Sequence, residues 1–242
     1  MSSDRPTFSV SDFQTYLENS EGLTLIGGQA VAWWEERYLA PESPIVSRDI
    51  DFWTEREELE AFLKRSNLKA QYPHRYEMTV LLAVADIAVG GQSSRIEFLH
   101  TVPGLDTANR ETVTMEQALN DIRIQVLAPI SLALTKLHAL RNFDQTDRLD
   151  ALHLKVCIAS AHEFLKECLT SDPDLTLWHI ERIAKAALQK RNQRVASEYE
   201  LNLLDGIPIE QIETTATDTQ NEKLLRFLDI RWPQIEGAGI VE

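Results

Sequence analysis

The stretch LIGGQAVAWW at residues 25–34 joins an apolar run to a helical pattern through two glycines, and SRDIDFW at 47–53 follows after a proline-containing loop. LTLIG (23–27) has the unbroken apolar character of a buried strand. GQAVAWWEERYL sets Val31, Trp34 and Tyr38 at helical spacing, and the prolines of APESP end it. RDIDFW alternates, with Ile50 and Phe52 on one side and Asp49, Asp51 and Trp53 on the other, which is the period of a strand. The order strand, glycine turn, helix, acidic strand decides for a mixed α and β core.

Working outward, SVSDFQTYLENSEG reads as a short amphipathic helix capped by Ser9 or Ser11, with Phe13, Tyr16 and Leu17 on its apolar side. TEREELEAFLKRS reads as a charged helix over Leu59, Phe62 and Leu63. EMTVLLAVADIAVGGQSSRIEFLH reads as a hairpin turning at Gly90-Gly91, with a returning strand near 95–100. From residue 128 the text changes to three-to-four-residue apolar spacing, in APISLALTKLHALRNF, TDRLDALHLKVCIASAHEFLKECL, DLTLWHIERIAKAALQKRNQRVASEYELNLL and TQNEKLLRFLDIRW. The expected class is therefore α+β: a mixed β-sheet core flanked by helices over 1–127, then a helical C-terminal domain over 128–242.

Composition narrows the function classes. Of the 242 residues, 43% are hydrophobic and 26% charged, a balance that favours burial over disorder. No run approaches the roughly 18 apolar residues of a spanning helix, and MSSDRPTFSV lacks the basic and apolar regions of a signal peptide. A cytoplasmic protein with no membrane partner is the expectation. The formal charge of −14 disfavours a general grip on nucleic acid and suits a site that holds divalent cations with carboxylates. Cys157 and Cys168 fall in one helical pattern, roughly 16 Å apart at ~1.5 Å per residue, and read as core thiols.

Residues two apart in a strand share a face, so Asp49 and Asp51 would set two carboxylates side by side, an arrangement that calls for a compensating cation. Glu97, between Ile96 and Phe98 on the hairpin strand, supplies a third acid if the strands are neighbours. A few carboxylates suit Mg²⁺ bound together with substrate phosphates. Gly27-Gly28 lets backbone approach a ligand closely, and the helix behind it offers free N–H groups to phosphate.

These residues resemble the nucleotidyltransferase superfamily with the DNA polymerase β-like catalytic fold, and more narrowly the AbiEii-type bacterial nucleotidyltransferases, some of them toxins of toxin–antitoxin systems. The family pattern reads here as Gly27-Gly28, Asp49-Ile50-Asp51 and Glu97, followed by ISLALTKLHALRNFDQTDRLDAL with Lys136, Asp147 and Asp150. The resemblance covers roughly residues 20–155. It implies transfer of a nucleotide from a nucleoside triphosphate, with Mg²⁺, or alternatively Mn²⁺, held by Asp49, Asp51 and Glu97. Gly27, Gly28 and Gln29 would contact the nucleotide, Lys136 would offset phosphate charge, and Asp147 or Asp150 would orient Lys136 or contact base or sugar. The implied acceptors are RNA such as tRNA, a protein or a small molecule, and an antitoxin is the implied partner. Gln29 replaces a hydroxyl residue of the family pattern, and Glu97 is one methylene longer than the commoner aspartate.

Other features have plainer readings. Thr146 reads as a helix N-cap, which would make Asp147 and Asp150 first-turn acids that favour the helix dipole. Arg182, Lys185, Lys190, Arg191 and Arg194 spread over more than half of a helical wheel and read as a solvated face, although a nucleic-acid acceptor would use this stretch. Trp34 reads as core, and His138 and His153 have no partner at metal-ligand spacing. The chain has no G-x-S-x-G, Walker or dinucleotide loop. The other classes of function are a non-catalytic module of the same fold acting through a protein partner and a metal-dependent phosphohydrolase.

Overall fold

The computed structural model describes residues 6–42, 44–74, 76–105, 114–119, 122–146 and 148–239. The chain divides into two compact units, Met1–Thr135 and Lys136–Glu242. The division falls inside a helix, Pro129–Asn142, rather than at the expected boundary after residue 127.

In the first unit a single 3-10 turn (Ser11–Phe13) leads into helix α1 (Gln14–Glu18), strand β1 (Thr24–Ile26) and helix α2 (Gly27–Tyr38). Strand β2 (Ile50–Trp53), helix α3 (Arg56–Arg65), the hairpin β3 (Leu81–Val89) and β4 (Gln92–Leu99), and a second hairpin, β5 (Thr114–Leu119) and β6 (Ile122–Leu127), follow. The six strands form one mixed sheet in the order β3-β4-β2-β1-β6-β5. β2 is antiparallel to β1 and parallel to β4, and β6 returns parallel to β1. The two-residue turn between Val89 and Gln92 places both Gly90 and Gly91 at positive φ, as a turn matched to strand twist requires.

One sheet face makes the core beneath α3. Ile50, Phe52, Ile96 and Phe98 are fully buried, and Phe52, Phe62 and Phe98 meet with ring centroids 5.5–6.2 Å apart. Alternation of apolar and polar residues along β2 and β4 thus hides one set of side chains and turns the acids the other way. Helix α2 is buried over nearly its whole circumference, with Trp33 and Trp34 both in the core, and the Trp34 indole N–H donates to the Leu127 carbonyl at 2.8 Å.

The second unit is helical. It continues from α4 (Pro129–Asn142) through α5 (Asp150–Ser171), α6 (Pro173–Ala187), α7 (Lys190–Glu198), α8 (Ile209–Thr219), α9 (Glu222–Arg226) and α10 (Trp232–Gly239). Asp172 caps α6 by accepting from Leu175 N–H at 3.0 Å, with Pro173 in the first turn. The sequence pattern ran unbroken from Asp174 to Leu204, but the helix stops at Ala187 and restarts at Lys190. Asn192 fastens the break by donating to the Ala186 carbonyl at 2.9 Å. Cys157 and Cys168 are buried free thiols on α5. Among the described residues no helix is long and apolar enough to cross a membrane.

Candidate functional site

The acidic strand pair is assembled by register. Asp51 on β2 is the partner of Glu97 on β4 and also of Ile26, the last residue of β1. Asp49 precedes β2 rather than lying in it, so the expected pair on one strand is a strand residue and a residue of the entering loop. That loop is pinned at several points. Ile45 N–H donates to buried Glu35 at 2.6 Å, Phe8 and Ser47 exchange backbone hydrogen bonds, and Ser94 donates to the Arg48 carbonyl at 2.7 Å. All three acids are half-buried.

The glycine between β1 and α2 belongs to the same construction. Gly27 has φ of +71°, and a Cβ there would overlap the Asp51 carboxylate, with the carboxyl carbon at 2.8 Å. A side chain at 27 and the Asp51 carboxylate therefore compete for one space. Gly28 and Gln29 lie in the first turn of α2, and both are buried. Gln29 turns inward: its amide donates to the Phe8 carbonyl at 3.0 Å, and its side-chain oxygen is buried without a partner among the described residues.

Electrostatics couple these groups. Burial raises the proton affinity of Glu97, the charge of Asp49 raises it further, and Arg95, 3.9 Å away, opposes both. Oxygen donors, partial burial and mutual repulsion fit a hard divalent cation. Among the described residues, however, no three His, Cys, Asp or Glu side chains are gathered closely enough to hold a metal ion. The expected convergence is thus realised as strand register for Asp51 and Glu97 and as electrostatic reach for Asp49, not as a closed ligand set.

The second group of expected residues lies in the helical unit. Lys136 on α4 reaches Asp150, the first residue of α5, at 3.2 Å, and Arg148 Nε meets the other oxygen of the same carboxylate at 2.5 Å. These two cations hold the Asp150 carboxyl below its ordinary range against the opposing effect of burial, which is the largest single influence on it. Thr146 is not the N-cap of α5, which begins at Asp150 with no side-chain cap. Thr146 instead donates to Asp144 through both backbone N–H and hydroxyl. Asp147 lies outside the described residues. Sequence reasoning missed Arg148; the available signal was a cation two residues before an acid that already faced a lysine.

The basic stretch is split by the break after Ala187. Arg182 lies over the Trp178 ring at 4.6 Å, and with Lys185, Leu188, Glu181 and Arg231 it lines an open groove of about 500 Å³. Arg231 is engaged there by Glu181 through two hydrogen bonds at 2.7 and 2.8 Å.

No family model matches the sequence, and no curated protein matches it. Solved structures that are similar at low identity include the following two. An antigenic nucleotidyltransferase-like protein from Paracoccidioides brasiliensis is 12% identical, with a TM-score of 0.45 over 72% of this chain and 94% of that one. JHP933 from Helicobacter pylori is 14% identical, with a TM-score of 0.35 over 78% of this chain and 91% of that one.

Proposed function

We propose that the chain is a Mg²⁺-dependent nucleotidyltransferase that moves a nucleoside monophosphate from a triphosphate to an acceptor hydroxyl. One observation carries the reading: Asp51 and Glu97 are register partners on central strands, and Gly27, which follows β1 and opens α2, is a glycine whose missing side chain leaves room for the Asp51 carboxylate. Motif order adds to it, because a glycine pair, an acid-x-acid segment and a later acidic strand follow one another as in the family this sequence resembles.

Asp49, Asp51 and Glu97 would hold the cation. When bound, it would neutralise the triphosphate and lower the pKa of an attacking hydroxyl. The chain's own contribution is placement. The start of α2 offers backbone N–H groups to phosphate, the pinned loop fixes Asp49, and the parallel pairing of β2 with β4 fixes Asp51 beside Glu97. The acceptor hydroxyl gives its proton to solvent and its oxygen bonds to the α-phosphorus while the bond from that phosphorus to the α–β bridging oxygen breaks, and pyrophosphate leaves with that electron pair. RNA, protein or a small molecule can be the acceptor. A cytoplasmic toxin restrained by an antitoxin belongs to the same reading and rests on the AbiEii-type resemblance.

Calorimetric titration of each of the four nucleoside triphosphates, with and without Mg²⁺, tests the reading. Metal-dependent binding that Asp49→Asn/Asp51→Asn loses supports it. Absence of metal-dependent binding by any of the four would replace it with a non-catalytic module acting through a protein partner.

A further inference from the structure

Asp150 has only 3% of its side chain exposed, yet it carries two cations that differ sharply in their access to solvent. Lys136 is 12% exposed and Arg148 is 43% exposed. A buried carboxylate needs a counter-charge, and Lys136, itself nearly buried, supplies it. Among the described residues, Arg148 is then a surplus cation at the rim of the cluster. His153, buried alongside, is held neutral by burial and the neighbouring Lys136, so it neither adds to nor cancels this positive balance near neutral pH.

Among the described residues, the guanidinium of Arg148 is held at one end only. Its Nε is bound to Asp150, and its Cζ lies over the Phe143 ring, 5.4 Å from the centroid. Its two terminal nitrogens have no hydrogen-bond partner among the described residues. A guanidinium fixed in this way has already lost much of its rotational freedom, and its outer nitrogens match the spacing of two oxygens of a phosphate.

We propose that Arg148 is the group of this cluster that meets an incoming polyphosphate oxyanion, with Asp150 as its positioning residue. The identity of the ligand rests on the nucleotidyl-transfer reading. The residue, anchor and stacking partner do not.

The experiment is calorimetric titration of inorganic tripolyphosphate and of the four nucleoside triphosphates into the full chain, as wild type, Arg148→Gln, Arg148→Lys and Asp51→Asn. Each variant is paired with a thermal melt. Arg148→Gln is expected to weaken both classes of ligand by about tenfold or more, the value of a charge-assisted hydrogen bond, with its melting temperature near wild type. Arg148→Lys keeps the charge but loses the fork and the Nε anchor, so an intermediate loss is expected. It also carries the test if Arg148→Gln does not fold. Tripolyphosphate binding by either Arg148 variant that equals wild type overturns the assignment. A wild-type chain that binds neither ligand class overturns both the assignment and the nucleotidyl-transfer reading. Loss in Arg148→Gln, with metal-dependent triphosphate binding unchanged in Asp51→Asn, keeps Arg148 as a phosphate residue and removes the catalytic role given to Asp51.

Discussion

The Asp51 carboxylate fills the space in which a side chain at Gly27 would begin. Two residues that stand 24 positions apart in the chain are therefore one steric unit, joined through the pairing of Ile26 with Asp51. Gly27→Ala is expected to abolish nucleotide transfer by displacing Asp51. It should also lower the stability of the first unit by about 1–2 kcal/mol, because alanine resists the positive φ at this position. Asp51→Gly in the same background should recover most of that part of the loss which comes from overlap, without recovering transfer. Thermal melts of the single and double variants, with an activity assay, check both statements.

Asp49 raises the proton affinity of Glu97, so Asp49→Asn is expected to move the Glu97 titration back toward the ordinary carboxylate range. Burial continues to hold it above that range. A carbon-detected NMR titration of the glutamate carboxyl groups reads the shift, and an unchanged Glu97 midpoint would show that the two acids are electrostatically separate.

Trp33 and Trp34 are both buried, and the Trp34 indole N–H donates to the Leu127 carbonyl, whereas the Trp33 nitrogen has no partner among the described residues. Trp34→Phe is expected to cost about 1–3 kcal/mol more than Trp33→Phe, since it strands a buried carbonyl at the end of β6. Urea unfolding of the two variants measures the difference.

Among the described residues neither ring nitrogen of His153 or His179 has a partner, both side chains are buried, and burial lowers their pKa values from 6.5 to about 4 and about 3. As pH falls below 6.5 the unfolded chain binds protons that the folded helical unit refuses. Stability is therefore full above that pH and declines as pH drops toward the folded values. His179→Leu should flatten the slope of stability against pH between about 6.5 and 3 by one proton. Chemical unfolding at several pH values checks this, and an unchanged slope would mean that His179 is protonated in the folded unit.

Much of the first unit was legible because local chemistry and tertiary structure agree there. The alternation around Ile50 and Phe52, the Gly90-Gly91 turn and the apolar run before Gly27 each describe the element that forms. The β5–β6 hairpin was not foreseen, although Ile122, Ile124 and Val126 alternate, because its defining contact is a parallel pairing with β1 far earlier in the chain. The break after Ala187 was missed because the apolar spacing continues across it; what interrupts the helix is the Asn192 amide turning back to Ala186. In the candidate site, residue types and order were readable, but the clearance between Gly27 and Asp51 and the burial difference between Lys136 and Arg148 are properties of packing. Neither has a sequence signature.

The placement of β6 has a consequence for how the protein is made. β1 is completed as a sheet strand only when Gln125 reaches Thr24, 101 residues later. On a ribosome that interval takes roughly 5–20 s at ordinary elongation speeds. Throughout it, a nascent chain that has already paired β1 with β2 presents the other border of β1 as an open template for foreign strands. Translation pausing before residue 122 would lengthen that exposure, and early chaperone engagement would shorten it.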